Sequence, residues 1–139
     1  MRASPSDLTL SYLEYTTFEA GCVLNEQEFR ARIVSSILEG RPENAIKLLS
    51  KYYGIGEPSL RVGTVKGHRK VLACYVEKER RIYISRSELL TNPFIILHEF
   101  YHHLRASSTA KNAQVDKRAD LFALNFVRDA RNFNTKSNG

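Results

Sequence analysis

The segment from Pro93 to about Arg105 constrains this chain more than any other, because it sets three histidines and a glutamate within a broad apolar stripe. Ile96, Leu97, Phe100, Tyr101 and Leu104 recur at the spacing of a helix with one buried side. Pro93 suits a first helical position, and Ser87 or Asn92 can cap it. His98, Glu99, His102 and His103 then lie on or beside a buried face, where polar groups are costly without partners. The rest of the fold must supply those partners.

His98-Glu99-Phe100-Tyr101-His102 has the His-Glu-x-x-His spacing. Residues four apart on a helix lie about 40° from each other around the axis and about 6 Å apart along it, so both imidazoles can reach one ion. That is half of a tetrahedral site. Glu99 is rotated by about 100° from His98 and flanks the ion instead of joining its ligands. Zinc lowers the pKa of a water it binds and polarises a carbonyl, so a carboxylate base beside it generates a nucleophile without serine or cysteine. Glu99 is therefore the expected general base, passing the proton later to the leaving amine. The competing reading is a satisfied polar pair, His98 with His102, and a surface ion pair of Glu99 with His103.

A hydrolytic zinc site needs a third protein ligand and one open position. The last apolar-periodic stretch offers Asp116 and Asp120, four residues apart beside the small Ala119 and Ala123. Asp116 as ligand, with Asp120 accepting the spare N–H of a ligand histidine, matches how metal-bound imidazoles are held. Two solvated aspartates near a helix N-terminus are the alternative.

Upstream, Asn25 followed by Glu28, with Phe29, Ile33, Ile37 and Leu38, predicts a capped helix over about 26–39. Gly40 stops it, and Pro42 opens a second helix with the face Ala45, Leu48, Leu49 and Tyr52, ended by Gly54 and Gly56. Residues 60–65, 71–76 and 81–85 are β-branched and aromatic with turn-like breaks between them, which predicts a three-stranded antiparallel meander. The final helix carries Val115, Ala119, Phe122, Ala123, Phe126, Val127 and Ala130 on one face. The expected class is α+β: N-terminal helices, a small sheet, then the histidine helix packed on the C-terminal helix. A single domain spans residues 25–131, preceded by a segment 1–24 in which Tyr12, Tyr15 and Phe18 share a side, and followed by a frayed tail, 132–139.

A chain of 139 residues supports one buried core. No apolar run approaches the roughly 20 residues of a membrane helix, and the start lacks the marks of a secretory signal, so a cytoplasmic protein is expected. Cys22 and Cys74 form no Cys-x-x-Cys pair and read as buried free thiols. The net charge of +6 is compatible with nucleic acid, but the basic cluster Lys66, His68, Arg69, Lys70, Lys78, Arg80 and Arg81 carries no nucleic-acid fingerprint and reads as a solvated surface.

With His98-Glu99-Phe100-Tyr101-His102 followed by Asp116-Lys117-Arg118-Ala119-Asp120-Leu121-Phe122-Ala123, the chain resembles the gluzincin clan of zinc peptidases, and most of all the ImmA/IrrE-like and minimal gluzincin families. The resemblance spans about residues 40–130 and includes Tyr52-Tyr53-Gly54-Ile55. It implies a zincin-like fold, one Zn²⁺, and hydrolysis of peptide bonds in a protein or peptide substrate. It also implies the third ligand at Asp116, where the family mostly has glutamate, and an edge strand at 81–85 that pairs with extended substrate. Tyr101, His103, Tyr83 and Arg118 are the candidates for substrate or oxyanion contacts. Two other functions are set beside this one: a latent or regulatory zinc-binding module, and a nucleic-acid-associated protease.

Overall fold

The computed structural model describes residues 25–67, 70–107 and 115–138. Expectations for residues 1–24, for His68 and Arg69, and for most of the loop 106–114 lie outside these.

Helix α1 spans Glu26–Leu38, and the Asn25 side chain accepts the Glu28 backbone N–H at 2.7 Å. This bond satisfies one of the donors that every helix start leaves free. At the other end Gly40 takes the left-handed conformation (φ 84°), while the Gly40 and Arg41 N–H groups donate to the carbonyls of Ile37 and Ser36. Helix α2, Pro42–Tyr53, ends in the same way at Gly54, whose φ is 68°. Its buried side is Ala45, Ile46 and Leu49, with Leu48 and Tyr52 half-buried.

Strands β1 (Ser59–Val62), β2 (Ala73–Val76) and β3 (Arg81–Ile84) form one sheet in the order β1-β3-β2. The antiparallel meander is corrected here: β2 and β3 form the expected antiparallel hairpin, but β1 runs parallel to β3. β1 ends at Val62 on one side of β3 and β2 begins at Ala73 on the other, so the two are not joined by a hairpin turn. β3 is consequently the central strand and cannot serve as the free edge expected of residues 81–85. Among the described residues the edges are β1 and β2.

A 3-10 turn, Ser87–Thr91, leads into helix α3, Pro93–Ala106, capped by the Asn92 side chain accepting the Ile95 N–H at 3.2 Å. Helix α4, Val115–Asn138, completes the order. It overruns the expected boundary at 131: Phe133 continues the spacing of Phe126 and Ala130 and packs against the core, so the helix gains burial one turn further on.

The described residues thus form an α+β arrangement of four helices and a small mixed sheet. The core joins Phe29, Ile33 and Ile37 of α1, Leu49 of α2, Ile82 and Ile84 of β3, Ile96, Leu97 and Phe100 of α3, and Phe126 of α4. Helix α4 lies along both α1 and α3, and an ion pair from Arg30 to Asp129 at 2.7 Å ties it to α1. Strand β2 packs on α3. No helix among the described residues is long and apolar enough to cross a membrane.

Candidate metal centre

The two apolar stripes that bury α3 against α4 also decide which polar groups meet. Asp116 and Asp120 lie one turn apart on α4, His98 and His102 one turn apart on α3, and the packed helices bring both pairs to the seam. His102 Nε2 lies 2.9 Å from Asp116 Oδ1, His98 Nε2 lies 3.6 Å from the same oxygen, and the two Nε2 atoms are 3.2 Å apart. On its other side His98 Nδ1–H donates to Asp120 Oδ1 at 2.9 Å.

That last bond selects a tautomer. With its proton on Nδ1, a neutral His98 ring turns its Nε2 lone pair toward the cluster, the form a metal ligand requires. Burial holds the His102 imidazole below its ordinary range, helped by neighbouring His98 and opposed by the Asp116 carboxylate, so His102 also tends to the neutral form.

His98, His102 and Asp116 could hold a metal ion together. Zinc bonds of 2.0–2.1 Å in a tetrahedron place neighbouring ligand atoms about 3.3 Å apart. The three separations of 2.9, 3.2 and 3.6 Å scatter around that length. Two imidazoles and a carboxylate suit zinc, and they leave a fourth position free. The Asp116 side chain is 86% exposed and the histidine side chains 19% and 22%, so the cluster opens to solvent on the α4 side.

Glu99, next to His98 on α3, is 8% exposed and close enough to His98 and Asp116 to feel the charge of both. Burial pushes its carboxyl up to about 7; the Asp116 carboxylate adds to the rise and His98 opposes it. An acid poised there exchanges protons near neutral pH in either direction.

The remaining expected contacts separate. His103 is 1% exposed, and both ring nitrogens are engaged inside the protein: Nε2–H donates to the Gly56 carbonyl at 2.7 Å, and Nδ1 accepts from the Tyr75 hydroxyl at 2.8 Å. It is a tie between α3, β2 and the segment after α2, with both ring nitrogens engaged by these partners and not by Glu99. Tyr83 alternates with the buried Ile82 and Ile84, so it faces away from α3, and its hydroxyl donates to Glu79 at 2.6 Å. It is not brought to the site. Tyr101 rests on Phe122 of α4, ring centroids 5.1 Å apart. Arg118 is exposed near the start of α4.

Two neighbours were missed in the sequence. Tyr75 sits on a four-residue strand whose partner could not be assigned from its own pattern. Phe94, four residues before His98 with its ring centroid 6.2 Å from the imidazole, was legible from helical spacing alone. Cys74 is a free, half-buried thiol. In the basic cluster Arg81 is engaged by Ser59, Glu79 and Tyr83.

No protein-family model matches the chain, and neither does any curated protein or any solved structure.

Proposed function

We propose that this chain is a zinc-dependent metallopeptidase of zincin-like architecture, with His98, His102 and Asp116 as metal ligands and Glu99 as general base. The observation that carries the reading is the convergence of three donor atoms, within 2.9 to 3.6 Å of one another, beside a buried carboxyl group. When bound, the ion supplies Lewis acidity toward a water and the scissile carbonyl.

The protein's own residues carry the rest. Asp120 holds the His98 ring in orientation and tautomer through Nδ1. Glu99, ionised when a cation sits on the neighbouring histidines, would take a proton from the attacking water and return it to the leaving amine. The open side at Asp116 admits substrate, and the half-buried Phe94 gives that approach an apolar neighbour. With β3 central, an extended peptide has β2, which packs on α3, as the free edge beside the histidine helix.

The test is Glu99→Gln, which keeps shape while removing the base. The variant should retain zinc and lose cleavage of unfolded casein by at least about 100-fold. Equal cleavage by variant and parent would rule out Glu99 as the base. Zinc binding with no cleavage by the parent would favour the latent module instead.

A further inference from the structure

The third donor of the cluster is also its least supported. The Asp116 side chain is 86% exposed, so little packs around it to aim the carboxylate. An aspartate has a single methylene between backbone and carboxylate. Its Oδ1 nevertheless reaches 2.9 Å from His102 Nε2 and 3.6 Å from His98 Nε2 across the seam. The reach must come from the position of the α4 backbone.

On a wheel of 100° per residue with Asp116 at zero, Asp120 falls at about +40°, Ala123 at about −20° and Ala119 at about −60°. Because Asp116 and Asp120 both contact α3 histidines, this arc of α4 faces α3. Ala123 and Ala119 border it on the Asp116 side and are both fully buried. Interaxial distances depend on the side chains at the contact, within about 8–10 Å, and single methyl groups favour the short end.

We propose that Ala119 and Ala123 are positioning residues for the metal centre, setting the α3–α4 separation at which a carboxylate as short as aspartate reaches the histidine pair. This rests on the metal-binding reading above. Bulk at 119 and arm length at 116 are then coupled: a wider seam needs a longer arm, and a longer arm overreaches in the native seam.

The experiment measures zinc affinity of the full chain by chelator competition for the parent, Ala119→Val, Asp116→Glu and the double variant, with circular dichroism melts for each. Each single variant should bind about tenfold more weakly or worse, as when other supports of a metal site are lost. The double variant should recover affinity above either single one, which damage to packing alone would not produce. Additive losses, or parent-like affinity in Ala119→Val, would overturn the proposal. If Ala119→Val does not fold, Ala119→Ser in the same pair of backgrounds tests the coupling with a smaller shift of the same sign. A parent that binds no zinc defeats the metal reading itself, whereas additive losses in a zinc-binding parent defeat only the coupling.

Discussion

In the metal-free protein Glu99→Gln should stabilise the fold at alkaline pH and leave it nearly unchanged at acid pH. Glu99 is 8% exposed, and its carboxyl rises from 4.5 to about 7 through burial first and the Asp116 carboxylate second, against His98. In the unfolded chain the group ionises near 4.5, while the folded protein holds the proton until about 7. The native state therefore binds more protons over that interval, and stability falls as pH rises through it. At about 1.4 kcal/mol per pH unit the interval gives a loss of at most about 3 kcal/mol, complete above pH 7 and absent below 4.5. Glutamine carries no charge to bury. Urea unfolding of parent and variant in excess chelator, at pH 5 and pH 8, isolates Glu99, because other groups cancel in the difference between the two proteins. The variant should gain about 1–3 kcal/mol over the parent at pH 8 relative to pH 5. A difference that stays constant between the two pH values would mean that Glu99 does not hold its proton to higher pH in the folded state. Chelator matters because a cation on the neighbouring histidines favours the ionised carboxylate.

Asp120→Ala removes the acceptor of His98 Nδ1–H without removing a proposed ligand; zinc affinity should fall about 10- to 100-fold with stoichiometry preserved, read by chelator competition. Tyr75→Phe leaves the buried His103 Nδ1 without its donor and should cost about 1–3 kcal/mol in urea unfolding, with the number of zinc ions bound unchanged.

Much of this fold is legible because helices announce themselves locally. Asn25 and Asn92 cap from within three residues, Gly40 and Gly54 stop helices by their own backbone freedom, and the apolar spacing from Phe29 to Ile37 needs no partner to be read. The sheet is less legible because a strand of four residues does not encode its partner. β1 is largely exposed, so no alternation marks its register or direction, and nothing within Ser59–Val62 specifies a parallel pairing with β3. At the site, the spacing of His98 to His102 and of Asp116 to Asp120 places each pair on one helix face, but whether the faces meet depends on the α3–α4 packing. The burial of His103 is legible in the spacing: it lies seven residues after Ile96 and three after Phe100, on the face that buries both. Phe133 repeats the lesson at the C-terminal end, where a tail read as frayed continues the apolar period.

The proposed function requires two imidazoles of α3 and a carboxylate of α4 to hold one ion. Elemental analysis of the purified protein after zinc loading and desalting, alongside His98→Ala and Asp116→Ala, tests it most directly. The parent should hold one equivalent of zinc and both variants well below one. One equivalent retained in His98→Ala, or none in a folded parent, would contradict it.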